Sequence, residues 1–282
     1  MAKQNDNKLN QLERDLPEGL LVDASWLKKR GYSTSLRSQY LAAGWLQQPV
    51  RSVYRRPRGS LSWQQVVISL QTLLGYSLTV GGRTALELEG YGHYLAHATN
   101  EVHLYGPKPP PGWLKNLKVG ARFLYHNDRK LFRTTRSRFP LLGLNADPAK
   151  TESAGTAAAG TVTTTQPWGQ WNWPLVLSTP ERAIIELLDE LPSRETFHQA
   201  DQLFGGMANL SPRRLQELLV DCRNVKVKRL FFYFADRHRH TWLKRLDKDE
   251  IAFGTGKRML VRGGKLDPTY QITVPEDLDG VR

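Results

Sequence analysis

Ser35, Arg37, Ser38 and Gln39 fall together in the run STSLRSQYLAA, and their types suit a DNA duplex. Small hydrogen-bonding groups can reach base edges in the major groove, and a guanidinium can fork onto guanine. Arg51, Arg55, Arg56 and Arg58 follow closely and suit phosphate oxygens, which fix register without reporting sequence. No acidic side chain occurs from Ala24 to Leu86, whereas Lys28, Lys29, Arg30, Arg37, Arg51, Arg55, Arg56, Arg58 and Arg83 all lie inside that stretch. A merely solvated basic face, or one used for protein contacts, explains this coincidence of charge and motif less well than DNA binding does.

Other chemistry is thinly represented. His93 and His97 are spaced i, i+4 in GHYLAH and could share a metal, but no third ligand accompanies them, and Gly90 and Gly92 disfavour a helix there. Cys222 follows an apolar helical stripe without a paired histidine, so it is expected in the core. The GTGKR string lacks the spacing of a phosphate loop and reads as a glycine-shaped turn. His238 and His240, beside Arg237, Arg239 and Lys244, could line an anion site, although decoration of a helix C-terminus is the simpler expectation. No catalytic residue, metal site or cofactor is expected. A second basic zone holds Lys226, Lys228, Arg237, Lys244, Arg245, Lys257, Arg258 and Arg262. Its aromatics, Phe231 and Phe234, would serve a nucleic-acid or acidic-protein contact equally well as a core.

These residues need elements to present them. Leu9, Leu12 and Leu16 mark a first amphipathic helix, ended by Pro17 and Gly19. Asp23 can cap a second, ASWLKKR, and Ser33 or Thr34 a third, with Gly31 and Gly44 as stops. Two short strands around Trp45–Leu46 and Val53–Tyr54 then flank a basic turn. Helix, helix, turn, helix and basic hairpin give a winged helix-turn-helix over residues 1–60. The remainder, 61–282, reads as a larger mixed α/β domain, making the chain α+β overall. Its expected parts are a helix in SWQQVVISLQTLLG, a short helix at 84–88, and strands at EVHLYG, 122–125 and 130–134. Helices follow at PERAIIELLDEL, RRLQELLVDC and 226–239, then strands near 251–253, 259–261 and 270–274. Residues 145–170, rich in Ala, Thr and Gly, read as a flexible surface insertion.

Composition sets the outer limits. With 282 residues, 40% hydrophobic side chains and eight Trp, global disorder is excluded and two domains are expected. The net charge of +13 suggests an anionic partner. One cysteine excludes an intrachain disulfide framework and fits a reducing cytoplasm. No apolar run is long enough to span a bilayer, so a soluble protein with no membrane partner is expected.

Five strings resemble the AbiEi antitoxins of abortive-infection (type IV) toxin-antitoxin systems: GYSTSLRSQYLAAGWLQQPVRSVYRR, GGRTALELEGYGHYL, STPERAIIELLDELP, VKVKRLFFYFADRHRHTWLKRLD and GTGKRMLVRGGKLDPTYQITVPEDL. The resemblance covers nearly the whole chain, with the 145–170 insertion as its departure. It implies an N-terminal winged helix that binds inverted repeats in its own promoter and represses the operon. It also implies a C-terminal domain that counteracts a nucleotidyltransferase-like toxin, directly or indirectly, and a protein that is not itself an enzyme. No heptad or dimer helix is evident, so a solution monomer pairing on DNA is the expectation. Two rivals stand beside this reading: a ligand-sensing winged-helix regulator and a nucleic-acid-acting enzyme, the latter without a visible carboxylate cluster or nucleophile-base pair.

Overall fold

A computed structural model of the chain describes residues 2–92, 100–134 and 161–279. Helix α1 (Ala2–Asp15) is followed by β1 (Leu21–Asp23), α2 (Ala24–Lys29), α3 (Thr34–Ala42), β2 (Gln47–Val50) and β3 (Val53–Arg55). Local chemistry sets the joints. Asp23 Oδ1 accepts from the Trp26 amide at 2.8 Å to start α2, and Ser33 Oγ accepts from the Leu36 amide at 3.1 Å to start α3. Gly31 turns the chain between them at φ 81°, a left-handed conformation that glycine adopts without a Cβ clash. The strands form an antiparallel sheet of order β1-β3-β2, completing a winged helix. Strand β1 was not expected: three residues inside an apolar run give no alternation to read.

The second sheet has five strands in the order β6-β5-β4-β8-β7. They are β4 (Thr79–Val80), β5 (Glu101–Gly106), β6 (Arg122–Asn127), β7 (Thr163–Trp168) and β8 (Trp173–Ser178). Helix α4 (Trp63–Ile68), capped reciprocally by Ser62 and Gln65, runs into a π-helical turn at Ser69–Leu73 and packs on β8. One buried apolar cluster includes Leu12, Leu27 and Tyr40 together with Val67, Val80, Leu104 and Trp173. The winged helix and the five-stranded sheet therefore share a core. Across that seam, the Leu21 amide donates to the buried Ser69 Oγ at 3.0 Å.

Helices α5 (Gly82–Leu86), α6 (Asp128–Leu131), α7 (Pro180–Asp189), α8 (Phe197–Gly206), α9 (Pro212–Asp221) and α10 (Val225–His238) complete the larger part. A second cluster centres on Phe204, Phe231 and Phe234, with Cys222 buried inside it. A short antiparallel ribbon, β9 (Lys265–Asp267) and β10 (Ile272–Val274), closes the chain.

Several expectations change. Residues 163–168 of the expected insertion form an edge strand paired along its length with β8, because the β-branched TVTTT run favours a pleated, half-buried surface. Pro167 is tolerated because β7 lies at the sheet's edge. Residues 145–160, like His93 and His97, lie outside the described residues. The strand expected at 130–134 is instead the end of the α6 turn, capped by Asn127, with Phe132 bridging to Cys222. Residues 251–253 and 259–261 are not strands, and Arg258 makes only an isolated bridge to Ile272.

Two of the family-like strings interlock. The Gly82 amide at the start of α5 donates to Glu186 Oε2 of α7 at 2.9 Å, and a Cβ on Gly81 would collide with that carboxylate and with Tyr105. Arg182 Nε and Ser178 Oγ donate to Glu186 Oε1 at 2.7 and 3.1 Å. Arg83 Nε reaches Glu195 Oε1 at 2.7 Å, and its Nη2 also meets Glu195 and Gln199. Burial pushes the Glu186 carboxyl upward, against the pull of Arg182 and the Gly82 amide.

Candidate nucleic-acid interface

Helix α3 divides sharply. Tyr40 packs inward, edge-on to Trp45 at 5.2 Å, while Ser35, Ser38 and Gln39 stand exposed. Arg37 does not join them. It is 9% exposed: its Nη2 donates to Thr34 Oγ1 at 2.9 Å, its Nε to the Ser33 carbonyl at 3.4 Å and its Nη1 to Tyr54 Oη at 3.4 Å. The expected groove-reading arginine is thus a brace between α3 and β3.

The four wing arginines also separate. Arg51 lies exposed at the wing tip, where Ser52 adopts φ 66° and its carbonyl accepts from the Ala24 amide at 2.9 Å. Arg55, expected on phosphate, is 6% exposed, and its guanidinium holds the carbonyls of Arg56, Arg58 and Gly59. Burial lowers its pKa from the ordinary arginine value. Arg56 bridges to Glu13 and Glu18 at 3.1 and 3.0 Å, and the exposed Arg58 reaches Glu18 at 3.4 Å. The acid-free run finds its counter-charges outside itself, on α1 and the turn after it.

The second basic zone splits in the same way. Lys226 Nζ donates to the carbonyls of Asp189 and Leu191 at 2.6 and 2.7 Å, closing the end of α7. Lys228 is buried, donates to the Ala252 carbonyl at 3.3 Å and has its pKa lowered by burial. Arg237 and His238 both engage Asp201, at 3.0 and 2.9 Å, so the histidine pair is part of the helix-end packing. Lys244, Arg245, Lys257, Arg258 and Arg262 are exposed, and so is Met259, at 75%. Phe231 and Phe234 belong to the core.

The sequence model described as "Transcriptional regulator, AbiEi antitoxin N-terminal domain" matches residues 5–97, and that described as "Transcriptional regulator, AbiEi antitoxin, Type IV TA system" matches residues 99–275. The chain belongs to the AbiEi antitoxin family. No curated protein gives a significant match. Among solved structures, the RV2827C protein from Mycobacterium tuberculosis superposes with a TM-score of 0.53 at 17% identity, over 94% of this chain and 88% of that one, which shows a shared fold.

In this AbiEi antitoxin a polar chain that no sequence spacing marks runs from half-buried Glu190 and His126 to buried His103. Glu190 pairs with His126 Nδ1 at 3.1 Å, and His126 Nε2 lies 3.1 Å from His103 Nδ1, with the two rings stacked. Burial, then the neighbouring His126, pushes His103 down to about 4. The three residues come from three elements, so no local spacing announces them. Burial likewise raises the Cys222 thiol to about 11, as suits an inert core cysteine. Among the described residues no helix is long and apolar enough to cross a membrane, and no group of three or more His, Cys, Asp or Glu could hold a metal.

Proposed function

We propose that this AbiEi antitoxin represses its own promoter by laying α3 in the major groove of inverted repeats. Ser35, Ser38 and Gln39 then face base edges, with Arg51, Arg56 and Arg58 toward phosphate. The observation that carries this is the exposed Ser35–Ser38–Gln39 face beside a wing tip bearing Arg51. Arg37 and Arg55 act as positioning residues, holding α3 and the wing exit in place. The C-terminal part neutralises a nucleotidyltransferase-like toxin, with Lys244, Arg245, Lys257, Arg258 and Arg262 as the contact surface. An exposed apolar side chain, Met259, in a segment whose Lys257, Arg258 and Arg262 are also exposed suits an acidic partner face.

The shared core favours testing both roles in the full-length chain. Toxin is expressed from an unrelated promoter with wild type, Arg51→Glu with Gln39→Glu, or Arg258→Glu with Arg262→Glu, beside a reporter of the native promoter. The first double variant is expected to lose repression and keep rescue, and the second to lose rescue and keep repression. Rescue by a folded Arg258→Glu, Arg262→Glu protein would remove the tail from the toxin contact. Full repression by the α3-wing variant would remove the winged helix from the DNA.

A further inference from the structure

A groove of about 660 Å³ opens at the seam between the winged helix and the larger part of the molecule. Helix α2 contributes Trp26, Lys29 and Arg30, the turn after α4 contributes Leu74 and Tyr76, and the loop from β5 to β6 contributes Lys108. That volume lies within the range of small-molecule sites, where an apolar wall carries a few placed polar groups. Negative charge is scarce: Asp23 is the one acid among the described residues lining the groove, and its Oδ1 accepts from the Trp26 amide to cap α2.

Four of its polar groups are uncommitted. The Trp26 side chain is 5% exposed and its Nε1 has no hydrogen-bond partner among the described residues, a cost that a buried indole N–H ordinarily avoids. The Tyr76 hydroxyl makes no hydrogen bond to a described residue either, and burial, then the charge of Asp23, raises its pKa and keeps it a donor. Lys29 and Lys108 are exposed and form no ion pair with a described residue. Arg30 is placed: its guanidinium lies over the Trp26 ring at 3.7 Å, with Asp15 at 3.9 Å, while its side chain stays 40% exposed. A guanidinium anchored in this way offers a cationic plane to a further aromatic ring.

We infer that this groove binds a small phosphate ester with a planar aromatic body, of nucleotide size, and that its occupancy tunes repression. Lys29, Lys108 and the Tyr76 hydroxyl hold the phosphate, and the ring rests on the Arg30 guanidinium beside Leu74. The groove reaches the wing through the backbone. Asp23 pairs with Val53 of β3, and the next amide, that of Ala24, donates to the Ser52 carbonyl at the wing tip at 2.9 Å, beside Arg51. A ligand that prefers one setting of this joint shifts promoter affinity by the same factor by which DNA shifts its own. That coupling rests on the winged-helix reading proposed above, whereas binding in the groove does not.

The test is isothermal titration calorimetry of the full-length protein with AMP, GMP, ATP and inorganic phosphate. Lys29→Ala with Lys108→Ala disarms the groove, and Arg51→Ala is the control for anions bound at the DNA face. At least one nucleotide is expected to bind roughly tenfold tighter than inorganic phosphate, to lose roughly tenfold in the double variant and to keep its affinity in Arg51→Ala. Affinity for a promoter duplex is expected to shift by roughly fivefold or more at a saturating concentration of that nucleotide. Inorganic phosphate binding as tightly as every nucleotide, or a double variant that binds like wild type, would overturn the site. Affinity lost in Arg51→Ala instead would place the nucleotide on the DNA face and overturn it too. Promoter affinity unmoved by bound nucleotide would overturn the coupling, whereas a protein that binds nucleotide in the groove but no promoter duplex would overturn the winged-helix reading.

Discussion

Arginine does opposite work at two places in this molecule. At the seam of α5 and α7, Arg83 and Arg182 are almost wholly buried and held by Glu195 and Glu186. Around α3 and the wing, Arg51 is exposed, and so are Ser38 and Gln39. Arg37 and Arg55 belong to the first kind although they sit in the second region. Net charge in a sequence therefore overstates binding charge. A cation buried against the carbonyls or carboxylates of the fold is not available to a partner.

The largest expected effect tests the buried side of this contrast. Arg83→Ala leaves Glu195 buried without its cation, which should cost about 3 to 5 kcal/mol in urea unfolding. Replacing both partners by Met and Leu should recover most of that loss. A single variant that unfolds like wild type would show that the seam is not holding α5 in place, and the contrast would break.

A comparable effect is expected from pH. His103 has its folded value depressed to about 4 from an ordinary 6.5, so the unfolded chain takes up its proton first as pH falls. Its contribution is intact above about pH 6.5 and drains away as pH drops toward 4, by roughly 3 kcal/mol in all. Denaturant midpoints for wild type and His103→Gln at pH 7 and pH 5 measure this. Equal pH slopes in the two proteins would mean that His103 is not the group responsible.

Within the winged helix the contrast can be sharpened. Arg37→Ala removes the brace to Thr34, Ser33 and Tyr54, so it should cost about 1 to 3 kcal/mol of stability and weaken promoter and random DNA alike. Gln39→Ala should leave stability unchanged and reduce the preference for the promoter by roughly 1 to 3 kcal/mol. A relaxed sequence preference in Arg37→Ala at wild-type stability would return that arginine to the groove.

Much of the architecture was legible because its signals are local. Asp23, Ser33 and Pro180 announce helix starts, and all three stand where the structure starts α2, α3 and α7. The exposed face of α3 also follows from helical spacing. What escaped depends on distant partners. Strand β7 looks like a linker until β8 lies beside it. Arg37 and Arg55 mislead for the same reason, since their acceptors are backbone carbonyls and side-chain hydroxyls, which composition does not reveal.

The smallest effect belongs to Arg51, and it tests the exposed side most cleanly. Its side chain stands in solvent at the tip, so Arg51→Ala should change unfolding free energy by less than about 0.5 kcal/mol. Binding should respond through electrostatics alone. Taking one cation away from the phosphate backbone flattens the salt slope by about 0.9, equally on promoter and random duplexes. Arg56→Ala provides the counterpoint, because Glu13 and Glu18 already hold that guanidinium and its removal leaves Glu13 unpaired, while Glu18 keeps Arg58 at 3.4 Å. The released Glu13 charge should make its loss of DNA affinity the larger of the two. An Arg51→Ala protein with the wild-type salt slope would place the wing tip away from the backbone and leave α3 without its neighbouring anchor.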